Sequence, residues 1–191
     1  NREQFEAFLG KAEEAASLIK RNVEGGGFVH VVSHLDADGL AAAGVIGTAL
    51  SRLDATFRVR IERWLDEKIL QSVVADKPSL VVFCDFGSGD LPLVNSCLSG
   101  RSVVVLDHHQ PVGVAHAGFV HVNPHVFGVD GSKDFSAAGV AYFAARALDK
   151  ANIDLSCVAV VGALGDLQDK YEGRSLGGPN KVIVDDGVAV G

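Results

Sequence analysis

The sequence predicts an α/β domain: a mostly parallel open sheet with helices on both faces. Three observations lead there. Short apolar runs alternate with longer segments of helical periodicity, the pattern of right-handed strand–helix–strand crossovers. Three of those runs, 28–33, 80–84 and 102–106, each lead directly into an acid or an imidazole. No apolar run reaches the roughly 18 residues that cross a bilayer, and 48% hydrophobic with 21% charged residues suits a packed core.

In chain order, residues 3–21 place Phe5, Phe8, Leu9, Ala12, Ala15, Ala16, Leu18 and Ile19 at spacings of three and four, an amphipathic helix stopped by Gly25-Gly26-Gly27. The first strand is 28–33. Residues 40–53, dense in Ala, Leu and Ile, form a buried helix, in which Gly44 and Gly47 are expected to allow close packing. Phe57, Val59 and Ile61 alternate with Arg58, Arg60 and Glu62, a half-exposed strand at a sheet edge. A helix at 65–75 is broken by Lys77-Pro78 before the strand 80–84. A short helix at 90–98, a strand at 102–106 and another at 119–122 follow. After the turn-rich stretch 123–134, Ser136 caps a helix over 137–150. Residues 155–164 fit strand or helix on pattern alone, and the tail 171–191 is glycine-rich and ends without a clear stop.

The three cysteines, Cys84, Cys97 and Cys157, have no CxxC spacing and read as reduced thiols of a cytoplasmic protein, Cys84 as a core residue. Met is absent even at position 1, which suggests an excised fragment, and the polar opening Asn1-Arg2-Glu3-Gln4 carries no hydrophobic signal. The net charge of −7 has the wrong sign for gripping a polyanion with the whole surface, and suits a phosphate-directed enzyme only if cations reverse the charge at the site.

If the three apolar runs are neighbouring parallel strands, their terminal acids and imidazoles converge on the carboxyl edge, where open α/β sheets bind ligands. His34, Asp36 and Asp38 occupy alternate positions, so an extended segment would put them on one face. Asp85 joins from the second run, Asp107-His108-His109 from the third and Asp166 from further along. Two His with four Asp form a mixed nitrogen and oxygen set that favours Mn²⁺ or Mg²⁺ over structural zinc. Six ligands exceed the needs of one ion that must also take water and substrate. Two ions roughly 3.5–4 Å apart sharing a carboxylate use the set economically, and hydrolysis of a phosphate ester or anhydride is the reaction class that follows.

His34-Leu35-Asp36-Ala37-Asp38-Gly39, Asp85, Asp107-His108-His109 and Gly165-Asp166 resemble, in order, the four motifs of the DHH phosphoesterase superfamily, over about residues 28–169. The resemblance implies one ion held by His34, Asp36 and Asp85 and a second by Asp38, Asp85, His108 and Asp166. It implies that Asp107 orients its neighbours, that His109 faces the scissile phosphate, and that the segment before Asp166 is helical. The two-residue step from His34 to Asp36 is similar to RecJ-like members, whereas the family's pyrophosphatases have a longer gap. Leu176-Gly177-Gly178-Pro179-Asn180 followed by Asp185-Asp186-Gly187 resembles archaeal RecJ-like proteins. The whole of 1–191 then reads as a single catalytic domain without the family's C-terminal substrate-binding domain. The function implied is a RecJ-like exonuclease on single-stranded DNA or RNA, with replication or repair proteins as partners and no membrane. Two alternatives stand beside it: a phosphoesterase of small substrates such as short oligoribonucleotides, cyclic dinucleotides or phosphoadenosine phosphate, and a replisome scaffold, although the scaffold relatives lack metal ligands that are all present here.

Several residues carry a second reading. Asp169 reads as a solvated acid rather than a partner of the ligands, His125 as a turn residue or a substrate neighbour, and His30 and His116 as structural or exposed. Arg52, Arg58, Arg60 and Arg63 could track a phosphate backbone or simply solvate an edge strand. Trp64 stands alone, without the interleaved aromatics of a base-stacking platform.

Overall fold

The apolar stripe of the first segment folds as helix α1 (Arg2–Glu24), which turns Phe8, Ala12, Ala15, Ala16 and Ile19 inward; the computed structural model describes residues 2–190. Then come β1 (Val29–His34), α2 (Ala37–Arg52), β2 (Phe57–Glu62), α3 (Glu67–Ala75), β3 (Leu80–Cys84), α4 (Leu91–Leu98), β4 (Ser102–Leu106) and β5 (Phe119–Val122). Helices α5 (Ala137–Leu148), α6 (Ser156–Gly165) and α7 (Gly178–Val190) complete the described chain. Among the described residues no helix is long and apolar enough to cross a membrane.

The five strands form one all-parallel sheet in the order β2-β1-β3-β4-β5. The chain leaves β1 toward β2 on one side and returns to β3 on the other, so a topological switch point lies between β1 and β3. Register decides what meets there. Ser33 pairs with Cys84 and Cys84 with Leu106, so the next residues, His34, Asp85 and Asp107, leave the sheet level with one another.

Both faces are covered, as the alternation of elements requires. On one face α1, α2 and α5 bury Phe8, Ile46, Leu50, Phe135, Tyr142 and Phe143 against β1, β3 and β4. The Phe8 ring lies 4.5 Å from Phe135 and 6.1 Å from Phe143, tying α1 to α5. Truncating such a fully buried ring to Ala costs about 3–5 kcal/mol. On the other face α3 and α4 bury Leu70, Val73, Val94 and Leu98 against Val32, Phe83 and Val105. Cys84 lies in the buried core, Cys157 is exposed, and all three cysteines are free.

Several expectations change. The stretch 155–164, open on pattern alone, is helix α6, as the family resemblance implied, buried through Ala159, Gly162 and Ala163. The tail contains α7, started by Gly178-Pro179 and anchored by buried Pro179, Asn180 and Ile183. Helix α2 begins at Ala37, so Asp36 is its N-cap and Asp38 lies in its first turn, not on an extended segment. The tight glycines are also different ones. A Cβ on Gly44 or Gly47 would make only ordinary contacts, whereas one on Gly162 would stand 2.4 Å from the Ala138 Cβ and 2.5 Å from an Asp38 oxygen. The arginine cluster dissolves into ion pairs: Arg52 with the remote Asp154 at 2.7 Å, Arg58 with Asp76 at 2.7 Å, and Arg60 with its near neighbour Glu62.

Candidate metal centre

The carboxyl end of β1 is fastened before it delivers any ligand. The buried Ser33 hydroxyl reaches the Gly39 carbonyl at 2.7 Å and the Cys84 carbonyl at 3.1 Å, fixing β1 to the first turn of α2 and to β3. One Asp36 oxygen accepts from Gly39 N at 2.8 Å, capping α2, while the other lies 2.9 Å from His34 Nδ1. Asp38, in the first turn of α2, reaches across to the N-terminus of α5, accepting from Ala137 N at 2.7 Å and Ala138 N at 2.9 Å. Burial drives the Asp38 pKa upward, against those amides and against His108.

Asp85 sits at the centre. It is 1% exposed and holds a left-handed backbone with φ of 62°, which an L-residue adopts at a cost of about 1–2 kcal/mol. Around its carboxylate stand His34 Nδ1 at 3.3 Å, His108 Nε2 at 3.4 Å and His109 Nδ1 at 3.7 Å. Yet neither Asp85 oxygen accepts a hydrogen bond, and His34 Nδ1, also buried, makes none. Burial pushes the Asp85 carboxyl up to about 7, against the pull of His108. Native chains rarely tolerate an unpaired buried carboxylate. A strained backbone and two orphaned oxygens in one residue mark a group held for something other than the fold.

The third strand end is satisfied by contrast. Asp107, fully buried, accepts from Ser88 N at 2.9 Å through one oxygen, and from His108 N at 2.8 Å and His109 Nδ1 at 2.8 Å through the other. Burial works against its ionisation, but His109, His108 and the Ser88 amide outweigh burial and hold the carboxyl at about 2. The Asp107 hydrogen bond is also the main cause that raises the His109 pKa. With Nδ1 engaged, the half-exposed His109 ring keeps Nε2 free for a ligand. His108 donates from Nδ1 to the Gly131 carbonyl at 2.7 Å, which turns its Nε2 toward Asp85 and Asp38. Burial disfavours a charged His108, yet the Asp85 and Asp38 carboxylates prevail and raise its pKa to about 10.

Some of the residues that set this geometry carried no sequence signal. Gln168, fully buried, donates through its amide to the Gly131 carbonyl at 2.9 Å and to Asp166 at 2.7 Å, and accepts from Asn180 of α7 at 2.6 Å. Asn123 donates to the Ser88 hydroxyl and to the His109 carbonyl, each at 2.8 Å, and His121 pairs with the same hydroxyl at 2.8 Å. The step Asn123-Pro124 was the one visible hint, a turn signal whose inward amide the sequence does not reveal. Asp169 proves not to be a freely solvated acid: its side chain is 11% exposed and pairs with Arg174 at 2.6 Å. His125 lies in a 3₁₀ turn, outside the ligand-bearing clusters of the described residues.

Three overlapping sets of donor atoms result: His34, Asp36 and Asp85; Asp85, His108 and His109; and Asp38, His108 and Asp166, each with its atoms within 4.8 Å of one another. They contain every residue singled out in the sequence as a ligand. Their chemistry fits hard to borderline divalent cations, and the orphaned Asp85 oxygens are where a cation would relieve an electrostatic penalty. The cluster opens into a cleft of about 290 Å³ lined by His34, Asp85, His109, Phe86, Arg63 and Trp64. Of the four arginines, Arg63 alone reaches this cleft.

Residues 28–164 match the DHH family, N-terminal domain. An uncharacterized protein of Methanocaldococcus jannaschii is 33% identical over 186 residues, spanning 93% of this chain and 41% of that protein. Among solved structures, exonuclease RecJ bound to manganese superposes with a TM-score of 0.77 at 24% identity, covering 93% of this chain and 47% of that one. CDC45 from Entamoeba histolytica superposes with a TM-score of 0.68 at 13% identity, covering 95% and 38%. The chain thus spans less than half the length of these relatives.

Proposed function

The chain belongs to the DHH family, and from that premise we propose that it is a metal-dependent phosphodiesterase, a RecJ-like exonuclease acting on single-stranded DNA or RNA. The observation that carries the proposal is Asp85: a buried carboxylate with no hydrogen bond, ringed by His34, His108 and His109 at the switch point of a parallel sheet. His34, Asp36 and Asp85 would hold one cation, and Asp38, His108 and Asp166, with Asp85 shared, a second. Two divalent cations there, Mn²⁺ or Mg²⁺, would neutralise charge on a phosphoryl group and lower the pKa of an attacking water. The likeness to a manganese-bound exonuclease supports that choice of ion.

The chain's own residues then divide the remaining work. Asp107, ionised and saturated with N–H donors, holds His109 in the tautomer with its proton on Nδ1. His109 Nε2, at the cleft, is the atom that meets a phosphate oxygen and hands over or receives a proton there. His108 is locked by Gly131 with Nε2 inward, the orientation a ligand requires.

The cleft of about 290 Å³ supports a second reading, a phosphoesterase of dinucleotides or other small phosphoesters, because it lies at the small end of ligand pockets. Hydrolysis of end-labelled single strands of graded length, beside dinucleotides and pyrophosphate, with Mn²⁺ and then Mg²⁺, separates the two. Stepwise shortening of long strands is the expected result. A rate that collapses with length assigns the small substrate, and inactivity on every phosphodiester removes the proposal. A scaffold role has no supporting observation of its own here, since all six candidate ligands are in place.

A further inference from the structure

Trp64 is the only tryptophan of the sequence, and 60% of its surface faces solvent. Surface exposure of so large a ring is notable because of where it is. Trp64 lies in the connection from β2 to α3, on the carboxyl edge, and lines the same cleft as His34, Asp85 and His109. Its backbone is held from both sides. Two residues before it, Glu62 is in register with His34 across the β2–β1 pairing. Just after it, Leu65 is buried in the core beneath α3 and Asp66 caps that helix through Ile69 N at 2.8 Å. The Arg63 guanidinium lies 5.8 Å from the ring centroid, a cation–π distance that further restrains the indole.

A restrained, flat, exposed π face beside a phosphate-directed centre suits a planar aromatic group covalently attached to that phosphate. We propose that Trp64 is the stacking platform for the nucleobase of the nucleotide whose phosphate occupies the Asp85 centre. This rests on the phosphodiesterase reading and narrows it to nucleotide substrates rather than pyrophosphate or sugar phosphates. Base–aromatic stacking tolerates any base, since each has a π face, so the platform selects for a base without reading its identity. One ring also suffices here: the reacting phosphate is located by the cluster, and a single neighbouring base needs a single partner.

The fluorescence of Trp64 reports on this contact directly, because no other tryptophan contributes. With Mg²⁺ present, AMP and dTMP should quench it saturably, while ribose 5-phosphate should compete for the site without quenching. Equal responses to AMP and ribose 5-phosphate, or no response to either, overturn the assignment. Kinetics give a second reading. Trp64→Ala should raise KM for a dinucleotide about 5- to 150-fold, the range of one lost base stack, with a much smaller change in kcat. Trp64→Phe should recover most of the loss, and the native preference for a dinucleotide over its abasic counterpart should shrink toward one in Trp64→Ala. A fall in kcat at unchanged KM, or a preference that survives in Trp64→Ala, also overturns it. If neither substrate is hydrolysed by the native protein, the phosphodiesterase reading fails, and the fluorescence titration still decides the stacking.

Discussion

Replacing Asp85 by Asn should stabilise the metal-free protein while weakening its hold on cations. Asn keeps the shape and tolerates the left-handed backbone of φ 62°, so the change is chiefly one of charge. An unfolded Asp ionises near its ordinary value of 3.8, whereas the folded Asp85 does so only at about 7. The raised pKa means the fold favours the protonated form. The penalty is absent below pH 3.8, grows as pH rises to 7, and is complete above it. At about 1.4 kcal/mol per pH unit, the ionised group opposes folding by at most roughly 4 kcal/mol, and because the same carboxylate holds His108 protonated, its removal gives part of that back. A buried Asn amide imposes a desolvation cost of its own of about 1–3 kcal/mol, so a net gain of roughly 1–3 kcal/mol is expected. For a chain of this size that raises Tm by roughly 2–12 °C. The assay is thermal and urea unfolding in EDTA at pH 8 and again at pH 4, where the gain should give way to the amide's own cost. In Mn²⁺ the order should invert, since occupancy at a hundred times Kd stabilises the native protein by about 2.7 kcal/mol per site. A metal-free Asp85→Asn that is less stable than the native chain at pH 8 would refute the reasoning, because Asp85 would then be serving the fold.

Three further outcomes are expected. Gln168→Leu, which releases Asp166 and the Gly131 carbonyl behind His108, should weaken one Mn²⁺ about 10- to 100-fold in calorimetry and leave the other unchanged; equal weakening of both would show a general loss of structure. His30 is fully buried with neither ring nitrogen hydrogen-bonded, and burial lowers its pKa against the pull of Asp76. The unfolded chain therefore takes up a proton near the ordinary imidazole value of 6.5 that the folded chain refuses, and stability should fall as pH drops below that value. His30→Leu should flatten the decline by up to about 1.4 kcal/mol per pH unit in urea titrations between pH 7 and 5, and an unchanged slope would contradict it. Gly162→Ala should destabilise by about 1–3 kcal/mol, because its methyl would stand 2.4 Å from Ala138 and 2.5 Å from Asp38; a neutral substitution would mean that α6 moves away freely.

The fold class was legible because strand and helix periodicities alternate cleanly from residue 28 to 122, and the half-polar pattern of Phe57–Glu62 marked β2 as an edge. The residues of the candidate centre were legible for a related reason. Level parallel strands deliver whatever follows their last apolar residue to one place, so His34, Asp85 and Asp107 could be brought together without knowledge of side-chain packing. The local reasoning was less secure. Alternation along 34–38 suggested an extended segment, but the N-cap chemistry of Asp36 starts a helix there, and Asp38 joins the cluster from a helical turn. What stayed hidden depends on contacts across long sequence gaps. The Gln168 amide meets Gly131 and Asn180 from separate segments, and Arg52 finds its acid at Asp154, 102 residues away. Helix α7 was obscured by its glycines, since its burial rests on few residues, Pro179, Asn180 and Ile183 among them.

The central claim is that Asp85 is shared by two cation sites built from His34, Asp36, Asp38, His108 and Asp166. The most direct test is to count Mn²⁺ bound per chain at equilibrium, by calorimetry and by paramagnetic resonance, in the native protein and in Asp85→Asn. Two ions per native chain, with both affinities reduced in Asp85→Asn, is the predicted result. A single ion, or a pair whose affinities do not respond to Asp85→Asn, would contradict the account.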